Sequence, residues 1–347
     1  MVVKSPIIVN WLITRRCNLK CSFCGIVRQP DHPIYDIKDK LRNELRFKDM
    51  KPIIDFLAEF EPKPFIILYG GEPTLHPDIE TIVDYLNEVD MPYTLITNAT
   101  GSYVREKLYK LVNDHNLKGL SMSLDPLVFD PNLQSLDPDR YKKAKSALDL
   151  LKHYKDNYPN LDAVAEITVD AKNVYYLERL LQFLDENDIY ASITTIERRV
   201  DLNYDFASLD VDESLLIKPG TKEYEIFSTV IDRILAFKKY KKVHFPKVLR
   251  VLINSLPNCY KCKLEPTNLT IDSDGLVRIC LRIHGQFNPN MLDLIKLSKE
   301  EALEKIREWM KELGKAMCKG CAWTCAMMTD LASEEPEFYK EITHAED

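Results

Sequence analysis

A chain of 347 residues, 45% hydrophobic and 29% charged, is long enough for one large domain or a large and a small one, with a sizeable buried core. Its formal net charge of −7, with acids and bases mixed and no basic block, argues against nucleic acid or an anionic membrane as the partner. No run approaches the ~18 apolar residues of a spanning helix. The opening Met1-Val2-Val3-Lys4-Ser5-Pro6 lacks the marks of a secretion signal, so the expected location is cytoplasmic.

From Ile7 to about residue 240 the pattern alternates between strand and helix. Ile7–Ile13 reads as the first strand and leads into the first cysteines. Phe65–Tyr69 is a buried strand, followed by a helix over Pro77–Val89. Tyr93–Thr97, Gly119–Leu124, Val164–Val169 and Ala191–Ile196 are the next strands, with helices over Tyr103–Val112, Asp139–Tyr154, Val174–Leu184 and Lys222–Lys238. About six βα units imply a parallel sheet and an open, TIM-like partial (β/α)6 barrel, an α/β fold. Asn173 reads as a helix N-cap, and the pairs Arg15-Arg16 and Arg198-Arg199 read as solvated surface. Residues 26–46 and 126–138 form long loops at strand ends, fit either for substrate lids or for simple insertions. Past Lys242 the pattern changes. Thr267–Ile271 and Leu276–Cys280 flank Asp274-Gly275, a hairpin signal, and a helix over Ser298–Leu313 follows. The expected domains are 1–240, the barrel, and 241–347.

All nine cysteines fall in two groups, at 17–24 and 259–325. In a reducing compartment such clusters more often bind metal than form disulfides. Cys17, Cys21 and Cys24 form a C-x3-C-x2-C loop directly after a strand, three thiolates that suit an iron–sulfur cluster and leave one iron open. Zinc is the competing reading, but a structural zinc site wants four ligands, and no fourth Cys or His occurs before His32.

The segment Trp11-Leu12-Ile13-Thr14-Arg15-Arg16-Cys17 through Cys24, with the aromatic Phe23 before the last cysteine, resembles the signature loop of the radical S-adenosylmethionine (radical SAM) superfamily. Tyr69-Gly70-Gly71-Glu72-Pro73 resembles the family's glycine-glycine-glutamate-proline motif, and the glycines are expected to let backbone approach the ligand. Thr97-Asn98 resembles its Thr-Asn-Gly, with Ala99 in place of the glycine. Ser123-Leu124-Asp125 resembles its Ser-x-Asp segment, with Pro126 where a glycine is usual. Together these mark the carboxyl ends of the first four strands, the face on which parallel β/α proteins build active sites. The resemblance covers about residues 7–200. It implies a [4Fe-4S] cluster on Cys17, Cys21 and Cys24, and S-adenosylmethionine held near Phe23, Gly70, Gly71, Glu72, Pro73, Thr97, Asn98, Ser123 and Asp125. It further implies reductive cleavage to a 5′-deoxyadenosyl radical that takes hydrogen from substrate, and an electron donor such as flavodoxin or ferredoxin.

The second group admits two readings. Cys259, Cys262, Cys280 and His284 fit a zinc-ribbon-like spacing but strand Cys318, Cys321 and Cys325. The Gly275-to-Cys280 element followed by C-x2-C resembles the twitch and SPASM extensions of radical SAM enzymes, which implies one auxiliary [4Fe-4S] cluster, with two as the alternative. Cys262, Cys280, Cys318 and Cys321 match that pattern best, while a selection using Cys259 or Cys325 stays open. With the first strand starting six or so residues in, no room remains for an N-terminal peptide-recognition domain. This favours a small-molecule substrate over a peptide side chain, the alternative being a peptide or protein maturase. No extra segment points to cobalamin. A non-catalytic metal-binding or electron-transfer protein is the remote alternative.

Overall fold

The computed structural model describes residues 5–19, 43–115, 117–136, 138–196, 213–237, 240, 242–244, 246–256, 261, 263, 265–278, 288–317, 327 and 330–331. Its strands are β1 (Ile8–Thr14), β2 (Phe65–Gly70), β3 (Tyr93–Thr97), β4 (Gly119–Ser123), β5 (Asp162–Val169), β6 (Tyr190–Thr195), β7 (Asn268–Ile271) and β8 (Val277–Arg278). They form one 8-stranded sheet in the order β6-β5-β4-β3-β2-β1-β7-β8. Strands β1 to β6 pair in parallel with their sequence neighbours. Helices α1 (Phe47–Ala58), α2 (Ile79–Glu88), α3 (Ser102–Asp114), α4 (Pro138–Asn157) and α5 (Leu177–Glu186) make the crossovers. Helices α6 (Lys222–Phe237) and α7 (Pro246–Ser255) follow β6, and α8 (Lys299–Met317) follows the hairpin.

The sequence dictates which face each strand buries. In β2, Ile66 and Leu68 have no exposed surface, while Phe65 and Ile67 on the other face are half-buried. Helix α2 places Ile79, Ile82, Val83 and Leu86 on one stripe, and α5 places Leu177, Leu180, Leu181 and Leu184 likewise. These residues share one core cluster with Ile66, Leu68, Leu95, Ala165 and Ile167. The face of the sheet away from these apolar residues turns polar towards β6. There Thr94 lies 3.3 Å from Ser121, and Glu166 is hydrogen-bonded to Ser121 and Ser192. Burial pushes the Glu166 carboxyl up, against the pull of those two hydroxyls.

Strand β1 is buried along its whole length, as a central strand of a parallel sheet should be. The sheet accordingly extends past it. Strand β7 lies parallel to β1, with Asn10 opposite Thr270 and the Asn10 Nδ2 donating to Asn268 Oδ1 at 2.7 Å. Strand β8 then returns antiparallel. The hairpin foreseen at Asp274-Gly275 therefore forms, with Gly275 at φ +82°. Its first strand is also a member of the barrel sheet, because the open edge of β1 needs a partner for its backbone groups. Residues 126–136, on the loop after β4, are a packed segment: Leu127, Val128 and Leu133 are all buried.

Candidate active site

At the carboxyl end of β1 the register slips, so that Leu12 faces Tyr69 while Thr14 faces Gly70. This bulge drives the β1 backbone against β2. A Cβ on Gly70 would lie 2.2 Å from the Thr14 carbonyl oxygen, and one on Gly71 would lie 2.2 Å from that of Arg16 and 2.9 Å from Cys17 Cβ. The Gly71 N–H donates to the Thr14 carbonyl (2.8 Å) and the Glu72 N–H to that of Arg16 (2.7 Å). The two glycines thus make room for the chain that carries Cys17.

Glu72 has no exposed surface. Its Oε1 accepts from the Thr74 N–H (3.2 Å), the Thr74 hydroxyl (2.8 Å) and the Thr97 hydroxyl (2.9 Å), and its Oε2 from the Asn98 N–H (2.8 Å). Burial pushes this carboxyl up, and the four donors oppose that shift. Glu72 is therefore a brace that locks the end of β2 to the end of β3. Pro73 behind it is buried too.

The β3 end then reaches back to the cysteine loop. Asn98 Nδ2 donates to Asn18 Oδ1 (3.0 Å) and lies 3.9 Å from Cys17 Sγ, and Asn18 Nδ2 donates to the Thr100 carbonyl (2.6 Å). Ala99 takes φ +51°, the left-handed conformation expected of the glycine it replaces, so the turn survives the change of residue. One strand further, Ser123 is exposed at the tip of β4. Asp125 accepts from the Leu127 N–H (3.1 Å) and from Asn173 Nδ2 (3.3 Å). Asn173 makes no side-chain cap to its helix. Its amide donates to the Thr168 carbonyl (3.0 Å) and accepts from the Asp170 N–H (2.8 Å), linking the β4 and β5 ends.

The chain returning from the first cysteine loop is anchored equally firmly. Buried Glu44 accepts from the Thr14 hydroxyl (2.6 Å) and from Arg16 Nε (3.1 Å). The Asp78 N–H donates to His76 Nδ1 (3.1 Å), so Nε2 is the protonated nitrogen and donates to the Leu45 carbonyl (3.0 Å). Burial lowers the His76 pKa and keeps the ring neutral. The Arg46 guanidinium, hydrogen-bonded to Asp78, holds that carboxyl down at about 2.

Arg15 overturns the surface expectation for its pair. It is 2% exposed and donates to both oxygens of Asp272 (2.9 and 3.0 Å), whereas Arg16 is half exposed and bonds Glu44. Sequence reasoning missed Thr14, Arg15, Glu44, His76 and Asp272 as parts of this site. A charged residue directly after a mostly apolar, buried strand was the available signal for Arg15.

Of the expected site residues, the structure thus brings together Cys17, Gly70, Gly71, Glu72, Pro73, Thr97 and Asn98, and sets Ser123 and Asp125 one strand beyond. Cys21, Phe23, Cys24, Cys259, Cys262, Cys280, Cys318, Cys321 and Cys325 lie outside the described residues, as do Arg198-Arg199 and His284. A half-buried thiol at the strand end, two more thiols within seven residues of it in sequence, and backbone tightly packed behind it form a donor set that fits a soft iron–sulfur centre.

Comparison with known proteins agrees with this geometry. A family model described as the radical SAM superfamily matches residues 11–183. The chain is 29% identical over 188 residues to the Fe-coproporphyrin III synthase of Methanosarcina barkeri, a match covering 54% of this chain and 42% of that protein. It is 28% identical over 301 residues to an uncharacterized protein of Methanocaldococcus jannaschii, covering 83% of this chain and 90% of the relative. The chain therefore aligns with less than half of the synthase but with nearly all of the second relative. Among solved structures, native anSMEcpe with bound AdoMet and Cp18Cys peptide shares the fold, with a TM-score of 0.54 at 16% identity over 98% of this chain and 97% of that one. With the strand-end motifs and the family match falling on the same residues, the chain belongs to the radical SAM superfamily of enzymes.

Proposed function

We propose that the chain cleaves S-adenosylmethionine reductively at a [4Fe-4S] cluster on Cys17, Cys21 and Cys24 and uses the product to take hydrogen from a small-molecule substrate. The observation that carries this reading is the placement of Cys17 at the β1 end, against Gly71 and 3.9 Å from Asn98. When bound, the reduced cluster and S-adenosylmethionine together supply a 5′-deoxyadenosyl radical, the hard chemistry of the reaction. The protein's own groups supply position. Glu72 and Thr97 act through the backbone they hold, since neither has surface to offer a ligand. The backbone of Gly70–Glu72, the Asn98 amide, Ser123 and Asp125 are the groups that would orient the methionyl and ribose parts, and the family resemblance adds Phe23 to them. An external one-electron donor such as flavodoxin or ferredoxin completes the electron balance.

Residues 241–347, in this reading, form a twitch/SPASM-like unit with one auxiliary [4Fe-4S] cluster drawn from Cys259, Cys262, Cys280, Cys318, Cys321 and Cys325. The cluster assists a net oxidation or bond formation. A second reading, a maturase acting on a peptide side chain, draws support from the peptide bound in anSMEcpe, which shares this fold from end to end.

The test is anaerobic reconstitution, counting of iron and sulfide, and assay of 5′-deoxyadenosine with dithionite as donor. Cleavage by the parent chain and none by Cys17→Ala is the expected result. A zinc-loaded protein, or an iron-loaded one that leaves S-adenosylmethionine intact, overturns it.

A further inference from the structure

An arginine stands two residues before Cys17 and another two residues before Cys280: Arg15 and Arg278. Both are 2% exposed, and both donate to the carboxylate of Asp272, which has no exposed surface at all. Asp272 also accepts from the Ser273 N–H at 2.7 Å. Two guanidinium groups thus meet on one carboxylate between the end of β1 and the hairpin. The next residue of the same turn holds the other end of the cysteine loop, because the Ser273 carbonyl accepts from the Leu45 N–H at 2.7 Å. Gly275 lets Leu45 close in: a Cβ there would lie 3.2 Å from Leu45 Cδ1. Glu44, bonded to Thr14 and Arg16, draws the same two ends together from the other side.

Bulk stability does not account for such a cluster. A buried ion pair rarely stabilises more than the apolar residues that could replace it, although breaking one by removing a partner is strongly destabilising. What charge and hydrogen-bond direction supply is a single geometry. Here that geometry concerns the two points at which the loop of Cys17, Cys21 and Cys24 leaves and rejoins the described chain, together with β8, which ends two residues before Cys280 in sequence.

We propose that Asp272 is a positioning residue for the metal-binding cysteines: through Arg15 and the turn at Ser273 it fixes both feet of the first cysteine loop, and through Arg278 it ties them to the segment of the second group. The hairpin is then a working part of the S-adenosylmethionine site. This rests on the reading of Cys17, Cys21 and Cys24 as cluster ligands.

The experiment uses the full chain, reconstituted anaerobically, with iodoacetamide alkylation of each cysteine followed by peptide mass spectrometry. The EPR change on adding S-adenosylmethionine is recorded in parallel. In Asp272→Asn, alkylation of Cys17, Cys21 and Cys24 should quicken about tenfold or more and the EPR response should fall to match, while Cys318 and Cys321 stay within about twofold of the parent. Arg278→Met should expose Cys280 in the same assay. Arg15→Lys, which keeps a cation beside Asp272, should retain more protection than Arg15→Met. Unchanged protection of Cys17 in Asp272→Asn overturns the proposal, as does an equal rise at all nine cysteines, which would make Asp272 a general folding residue. A parent chain that takes up no iron refutes the cluster reading itself, a separate outcome.

Discussion

Of the buried carboxylates that brace the cysteine-bearing end of the sheet, Glu72 and Asp272 do it by different chemistry. Glu72 joins β2 to β3 and is surrounded by neutral donors: two threonine hydroxyls and two backbone N–H groups. Asp272 joins β1 to the hairpin and faces two guanidinium groups. A carboxylate held by neutral groups keeps part of its desolvation penalty, so its proton affinity rises. One held by cations does not carry that penalty alone, but it commits its partners, since removing its charge takes an anion away from two buried guanidinium groups. The β2–β3 brace should therefore be sensitive to pH and less damaged by a neutral substitute than the β1–β7 brace. The β1–β7 brace should be intolerant of any loss of charge.

The largest effect should come from Asp272→Asn, a loss of about 3–5 kcal/mol of stability read from urea unfolding of the full chain. A loss below about 1 kcal/mol would break the contrast, because the two braces would then be equivalent. Gly71→Ala comes next. Its methyl meets the Arg16 carbonyl, backbone that cannot rotate away, so a cost of about 1–3 kcal/mol or more is expected, together with reduced iron uptake.

Glu72→Gln should cost about 1–3 kcal/mol where the carboxylate is ionised, and it should alter the pH profile. The folded-state pKa of Glu72 lies above its ordinary value of 4.5, so its favourable contribution is complete below that pH and is lost as pH rises through the folded value. Unfolding free energies measured from acid to neutral pH should therefore show a decline that Glu72→Gln removes. The smallest effect belongs to Ala99→Gly. Relief of a left-handed alanine, about 1 kcal/mol, offsets loss of a buried methyl, about 0.8 kcal/mol, so the melting temperature should barely move.

Much of this site was legible in the sequence because the features that position it are local. A strand that ends in a cysteine loop, and motifs that follow each of the next three strands, need only periodicity and short spacing to be read. Ala99 shows how far that extends, since the turn is preserved although the residue departs from the pattern. What escaped depends on contacts distant along the chain. Nothing near Arg15 reveals that its partner is Asp272, 257 residues away. Asn10 gives no local sign of its bond to Asn268 either. The glycines at 70 and 71 were recognised as places of close approach, but which atoms approach was set by a bulge in β1 that the apolar run of that strand conceals. Asn173 stands at the N-cap position read for it, but its side chain makes no cap bond, and its amide is taken up by Asp125 and the end of β5 instead.

The turn at Asp272–Gly275 also imposes an order on biosynthesis. Synthesis runs from the N-terminus, and the early strands are free to pair as they emerge. The first cysteine loop, however, has its feet set in part by residues made far later along the chain. A ribosome that has produced Cys17, Cys21 and Cys24 has still to produce Asp272 and Arg278 before that loop can close. Metal delivered before Asp272 is made would meet a loop braced by Glu44 but not by the hairpin, so full ordering of the first site follows synthesis of that turn. A transcript truncated before the hairpin would yield a protein with three intact cysteines and only part of the bracing of their loop.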